Sequence, residues 1–427
     1  MKMVSEHIEK AMKKIEGWWQ GELVGDRTCI GFVVPNPLKF LIANRRNPRL
    51  LYSLIRWYLN QRRVPKESIN IKNRKVVRSR YSVIYEHFNK LWPHPVEGEV
   101  NIEKFIEEGM RTLLSVGYFG EEIPRILHQY GARGVPIIMP AFLGANLKFL
   151  EDTSLTEPFV DSWNDLKLEL HPSNPWYEMS LRLVETAVRK SKGKFLVDIP
   201  DFGDVFTSLY LMRGPVIFQD IGFDNKLLEV RDKFMELWIK AYEDFWQITS
   251  QKFPGSSNWL IWAPGKSYAC QCDASCIAVS ASKKEVAPIL LRRIVEDFIV
   301  PEMEKLGKYL DYIIWHLDGE EELEYLDTLL EMPQIKAIQW RPIYYGDPES
   351  SPAHPKWIPL FRKIQKAGKS LWVAAENEKE VGGLIENLAP ERLYISGGFT
   401  GKTEKEAREF LKRVEYLTRQ KIKSRSF

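Results

Sequence analysis

Tyr312-Ile313-Ile314-Trp315-His316-Leu317-Asp318-Gly319 is the stretch on which the reading of the fold turns. It is a run of β-branched and aromatic residues that stops at an imidazole, a carboxylate and a glycine. Such a run reads as a strand buried on both faces of a parallel sheet. Polar groups at its carboxyl end stand where an α/β barrel keeps its chemistry. Side chains two apart leave a strand on the same face, so His316 and Asp318 project together. The same residues also fit a plain strand closed by an Asp-Gly turn, with a satisfied core histidine.

Outward from this stretch the pattern repeats. Phe195 to Ile199, Trp259 to Trp262, Cys276 to Val279, Ala337 to Trp340, Leu371 to Ala374 and Leu393 to Ile395 are further short apolar runs. Helical patterns separate most of them, at Lys226 to Gln247, Lys284 to Lys308, Glu320 to Leu330, Lys356 to Ala367 and Thr403 to Leu417. Strands alternating with helices predict right-handed crossovers and a parallel sheet. With a strand beginning at Cys29 the count reaches eight, which suggests closure into a (β/α)8 TIM barrel; an open doubly wound sheet is the runner-up. No glycine-rich dinucleotide fingerprint or P-loop follows any of the strands, which weighs against the open sheet. Upstream, Ile8, Met12, Ile15 and Trp19 recur at helical intervals over Glu6 to Trp19. A second amphipathic helix is predicted over Leu50 to Arg62, and Lys66 to Arg80 reads as an exposed basic connection. The division expected is an N-terminal helical extension over 1–110, packed on a barrel domain over 111–427.

Composition narrows the function classes. The chain has 427 residues, 44% hydrophobic, enough for a large core. Its formal net charge is +4 with 28% charged residues. The basic excess is scattered, apart from Arg45-Arg46, Arg62-Arg63 and the tail from Arg419, which argues against nucleic acid. Met1 to Lys14 lacks the apolar core of a signal peptide and no apolar run has the length of a membrane span, so the expectation is a soluble, cytoplasmic protein. Three of the four cysteines, Cys270, Cys272 and Cys276, fall within seven positions, with Cys29 far away. That spacing fits a reducing compartment better than a disulfide framework, and C-x-C-x3-C matches no common zinc pattern.

In a barrel, the groups after the strands converge at one mouth. They include Asp198, Asp201 and Asp204; Trp262; Cys272, Asp273 and Ser280; His316 and Asp318; Gln339, Trp340 and Arg341; Glu376 and Asn377; and Ser396 with Gly397 and Gly398. His316, Asp318, Asp273 and Glu376 are the candidate catalytic residues, because acids buried beside one another acquire pKa values suited to proton donor and acceptor. Asp198, Trp262, Gln339, Trp340, Arg341 and Ser396 are candidates for substrate binding. About half of such residues ordinarily cap helices or finish turns. Asp204 before Val205-Phe206 suits a helix N-terminus.

Several blocks resemble the uroporphyrinogen decarboxylase superfamily, which includes zinc-dependent, corrinoid-linked methyltransferases. They are Val197 to Gly214 with its Tyr210-Leu211-Met212-Arg213-Gly214 ending, Phe298 to Met303, Trp315 to Gly319, Leu326-Asp327 and Ala337 to Trp340. Phe142-Leu143-Gly144 and Glu151-Asp152-Thr153 extend the likeness upstream. The resemblance spans roughly residues 110 to 400, in the family's order, and implies a uroporphyrinogen decarboxylase-like barrel. In the family's methyltransferases an H-x-C pair and a later cysteine hold zinc, which activates a thiol. Here His316 stands at the histidine, Asp318 at the first cysteine and Ser396 near the second. The arginines and aspartate of the founding decarboxylase find no counterpart around Arg45-Arg46.

The resemblance therefore implies methyl transfer involving a small methylated substrate or a corrinoid protein, with an atypical His-x-Asp. His316 and Asp318 are the residues that would hold a divalent metal, and any corrinoid would be carried by a partner protein. Carboxylates beside tryptophans also admit a carbohydrate-directed or other hydrolytic or lyase enzyme. Loss of the zinc ligands equally admits a non-catalytic ligand-binding barrel.

Overall fold

The computed structural model of the chain describes residues 5–36, 68–71, 74–77, 101–113, 116–126, 137–149, 154–281, 287–342 and 351–425. The helix expected over Leu50 to Arg62, the basic pairs Arg45-Arg46 and Arg62-Arg63, and the block Glu151 to Thr153 lie outside these residues.

The strands are β1 (Cys29–Pro35), β2 (Ser68–Ile71), β3 (Arg74–Val77), β4 (Val116–Gly120), β5 (Arg125–Ile126), β6 (Leu147–Phe149), β7 (Ser154–Thr156), β8 (Leu196–Val197), β9 (Ser256–Ser257), β10 (Trp262–Ala263), β11 (Ser267–Cys270), β12 (Tyr312–Asp318), β13 (Ile335–Arg341), β14 (Ser370–Ala375) and β15 (Leu393–Gly397). Seven of them form one sheet in the order β11-β12-β13-β14-β15-β1-β4. Its pairs from β11 through β1 are parallel, and β4 is antiparallel on β1. Among the described residues no ladder closes this sheet on itself. β5 and β8 pair in parallel as a separate two-stranded ladder, and β9 and β10 pair antiparallel. β1, from the first 110 residues, lies inside the main sheet, so the sheet draws on both segments of the expected division.

β12 follows the sequence reading: its five central residues are buried, as a strand covered on both faces requires. A register shift between Ile313 and Ile314 leaves Lys336 as an extra residue on β13, and beyond it His316 pairs with Gln339 and Asp318 with Arg341. Without that irregularity His316 would face Ile338. The row continues from Gln339 to Trp372, Tyr394 and Cys29.

The main helices are α1 (Glu6–Gln20), α2 (Ile102–Leu113), α3 (Pro175–Ser191), α4 (Val205–Arg213), α5 (Asn225–Ser250), α6 (Asp273–Ala281), α7 (Ala287–Ile294), α8 (Val300–Leu306), α9 (Leu326–Glu331), α10 (Ile358–Lys366), α11 (Glu378–Asn387) and α12 (Glu404–Arg425). α1 lies at the amino ends of the strands. Trp18 Nε1 donates to the Leu371 carbonyl at 3.3 Å, Ser370 Oγ donates to the Trp18 carbonyl at 2.5 Å, and the Trp19 ring meets Tyr312 at 5.2 Å. Between α7 and α8 the helix widens into a π turn over Val295–Ile299. Pro301 explains it: the ring lacks an N–H and crowds the carbonyl four residues back, at Asp297. The Arg231 guanidinium donates to that carbonyl.

Two strand expectations are corrected. Cys276 to Val279 lies inside α6, and the strand is the preceding Ser267–Cys270. Small residues Ala274, Ser275 and Ala278, all buried, let α6 pack closely, which a reading of β-branched content alone overlooks. Trp259 to Ile261 is a turn. Asn258 Oδ1 accepts from the N–H groups of Leu260 and Ile261, both at 2.9 Å, and only Trp262–Ala263 pairs as a strand. The stretch Lys66 to Arg80, read as a connection, contains the antiparallel pair β2 and β3. Among the described residues no helix is long and apolar enough to cross a membrane.

Candidate functional site

His316, Gln339, Asp318 and Arg341 meet at the carboxyl ends of β12 and β13. The register places His316 beside Gln339, and their side chains bond, imidazole Nδ1 to Oε1 of the amide. Gln339 Nε2 in turn donates to the Trp340 carbonyl at 3.2 Å. His316 Nε2 faces Asp318 Oδ2 at 3.9 Å, and Arg341 Nε lies 3.9 Å from Asp318 Oδ1. The imidazole is buried while Asp318 is about a third exposed and Arg341 open to solvent, so the group descends from surface to interior. The Trp259 ring stands edge-on to His316 at 5.0 Å, its Nε1 donating to the Ala269 carbonyl at 3.2 Å.

Gly319 makes this end possible. Its φ of 104° belongs to the region that favours glycine, and its N–H still reaches the Arg341 carbonyl at 2.9 Å. The chain then turns into the helical turn Glu320–Tyr325, which carries Glu322 back under the strand. Glu322 Oε2 accepts from Trp315 Nε1 at 3.2 Å and from the Asp318 N–H at 3.3 Å. Burial holds its carboxyl well above the usual range, against the Trp315 and Tyr325 bonds and with Asp273 and Asp318 adding to the rise.

Asp273 opens α6 directly after β11 and bonds Gln271, whose Nε2 donates to Oδ2 at 3.3 Å. Its pKa is pushed up to about 7, first by burial, then by the charges of Asp318, Asp204 and Asp201, with Arg341 opposing. The His316 imidazole moves the other way. Burial lowers its pKa, with Asp318 and the Gln339 bond opposing and Arg341 reinforcing. One acid is thus held near neutrality and one base is held uncharged, on adjoining strand ends.

A second group of acids lies deeper. Asp201 Oδ1 accepts from the Gly203 N–H and the Tyr268 hydroxyl, both at 3.0 Å, and its pKa is pushed up to about 7, chiefly by burial. Asp204 caps α4 as its position suggests, Oδ1 accepting from the Thr207 N–H at 2.8 Å. Glu302 reaches the same helix end from α8. Among the described residues, Asp201 Oδ2, Asp204 Oδ2 and Glu302 Oε1 find no hydrogen-bond partner. Asp198 is separate again: Ser257 Oγ donates to its Oδ1 at 2.5 Å, Arg125 Nη1 lies 3.7 Å from Oδ2, and burial raises its pKa to about 7. No bond links it to His316.

Not every expected residue joins the site. Trp262 packs at the opposite end, its Nε1 donating to the Pro254 carbonyl at 2.7 Å and its carbonyl accepting from Trp19 Nε1 at 2.9 Å. Trp19 also meets Tyr312, four residues before His316, roughly 13 Å along a strand. Trp340 is fully buried on the face opposite Gln339, against Trp357 at 4.8 Å. Glu376 is exposed beyond β14, and its N–H is taken by Glu380 Oε2 at 2.7 Å. Asn377 caps α11. Ser396 is half-buried in the row beyond Trp372 and Tyr394 and bonds none of the acids.

The zinc pattern implied by the resemblance does not fit. His316 Nε2 and Asp318 supply two donors, and among the described residues no three His, Cys, Asp or Glu side chains gather as a metal would need. The Cys270 and Cys272 thiols are buried, and burial first, then nearby acids, pushes their pKa values well up, the reverse of an activated thiolate.

Trp259, Gln271, Glu302, Glu322 and Arg125 were missed in the sequence. Glu302 had a signal: it falls on the apolar stripe of Val295, Phe298, Ile299, Met303 and Leu306. Glu322 sat inside an acidic run that reads as a solvated face. No protein-family model matches the chain, and no match is found among curated proteins.

Proposed function

We propose that this chain is a uroporphyrinogen decarboxylase-like (β/α)8 barrel enzyme that moves protons on a small-molecule substrate at the His316, Asp273 and Asp318 end. For the barrel, β5 and β8 would supply the remaining wall. The Ile199 N–H bonds the Ser257 carbonyl at 2.8 Å, and the hydroxyls of Ser256 and Ser267 lie 2.7 Å apart, linking that wall towards β11.

The observation that carries the reading is the convergence of His316 Nε2, 3.9 Å from Asp318 Oδ2, with Asp273 at the adjoining end of β11, where burial moves the imidazole and Asp273 pKa values in opposite directions. A carboxylic acid poised at about 7 donates a proton, while the neutral imidazole, its pKa lowered to about 4, orients the substrate through a hydrogen bond. Of the chemistries in the superfamily, lyase-type proton delivery suits these residues, whereas zinc-thiolate methyl transfer lacks its donors. A hydrolase built on Asp273 with Glu376 is disfavoured by the exposed, separately bonded position of Glu376.

The test is solvent deuterium incorporation, followed by mass spectrometry, into a panel of small amines and carboxylic acids. Wild type is expected to label or convert one class, and Asp273→Asn to label far less. Corrinoid-dependent methyl transfer to a thiol, with no deuterium uptake into any substrate, would overturn the reading.

A further inference from the structure

The hydrogen-bond chain behind His316 fixes the protonation of the nitrogen that faces Asp318. Gln339 Nε2 donates to the Trp340 carbonyl, so the amide presents its oxygen to the imidazole. An amide oxygen only accepts; Nδ1 must therefore carry the proton and Nε2 the lone pair. Among the described residues nothing donates to Nε2, although the side chain is 4% exposed. It faces Asp318 Oδ2, a second acceptor, at 3.9 Å.

We propose that His316 Nε2 and Asp318 Oδ2 form a two-acceptor clamp for a primary ammonium group on the substrate, with Gln339 as the positioning residue that sets the tautomer. This rests on the carboxyl ends of β12 and β13 being the site of chemistry. Two acceptors at this separation can share one nitrogen that donates a hydrogen to each at ordinary bond length. The charges around the clamp agree. The Asp318 carboxylate faces the ligand, Asp273 near it is poised at about 7, and Trp259 offers an aromatic wall. A carboxylate ligand would face two acceptors, whereas an ammonium can donate to both. A quaternary ammonium has the charge but no hydrogen to give.

Nuclear magnetic resonance of protein labelled with ¹⁵N at its seven histidines tests this without any turnover. In wild type, His316 should show a protonated Nδ1 and a pyridine-type Nε2. Titrated methylammonium should shift the Nε2 resonance, while tetramethylammonium and acetate should leave it in place. Asp318→Asn should weaken methylammonium binding by about tenfold, the loss of one charge-assisted bond. Gln339→Leu should release the tautomer and the response, and Gln339→Glu, which still accepts from Nδ1, should restore both. An equal shift with tetramethylammonium, or an Nε2-protonated imidazole in wild type, overturns the clamp. Deuterium uptake confined to carboxylic acids would leave the proton-transfer reading standing and remove this one.

Discussion

Asp204 and Glu302 hold the same helix end from two different elements. Asp204 Oδ1 takes the Thr207 N–H at 2.8 Å and Glu302 Oε2 takes the Val205 N–H at 3.2 Å, so both carboxyls share the N-terminus of α4. Both pKa values are raised by burial, and the Asp204 charge raises that of Glu302 further. A carboxyl that binds its proton more tightly folded than unfolded favours the folded state most at low pH. That contribution is complete below the unfolded pKa and is lost as pH climbs through the folded one.

Glu302→Gln should accordingly flatten the dependence of stability on pH. From the ordinary carboxyl value of 4.5 upward, wild type loses about 1.4 kcal/mol per pH unit for each proton so held. The variant, which keeps an oxygen for the Val205 N–H, should overtake wild type in urea midpoint by pH 8. Parallel curves at all pH values would show that Glu302 is ionised in the folded protein.

Asp273 sets a kinetic expectation. With its pKa at about 7, an acid role predicts a rate that falls as pH rises through neutrality. Asp273→Asn should lose roughly 10²-fold to 10⁴-fold in kcat and with it the alkaline limb of the profile. A variant that keeps the limb would assign it elsewhere, Asp201 being the next group at about 7.

Trp262 separates structure from chemistry. Trp262→Phe removes the bond to the Pro254 carbonyl and should lower stability by about 1 kcal/mol, read by thermal unfolding, with KM unchanged. His316→Asn should do the reverse, abolishing turnover with a near-native far-ultraviolet spectrum.

Thiol chemistry gives a further check. Cys29, Cys270 and Cys272 are buried with raised pKa values, so iodoacetamide at pH 7.5 should label their peptides only after denaturation. Rapid labelling of Cys272 in the native protein would reopen the thiolate reading.

The parallel order β12 to β15 was legible because each strand is a short apolar run between helical patterns. β12 also disclosed its polar end, since His316 and Asp318 interrupt that run. Trp262 and Trp340 were misread for one reason: a tryptophan at a strand end looks alike whether it lines an opening or packs behind the sheet. Face is decided by register, and the extra residue at Lys336 cannot be seen in the letters. Glu322 was hidden by its neighbours Glu320 and Glu321, and Trp259 by an Asn258 turn that resembles strand sequence.

The seat of α1 has a consequence for traffic. Trp18 and Trp19 cover the amino ends of β14 and β12, the end of the sheet opposite His316. Under the proposed chemistry, a product would leave past the same residues its precursor met, and one that lingered would bar the next arrival.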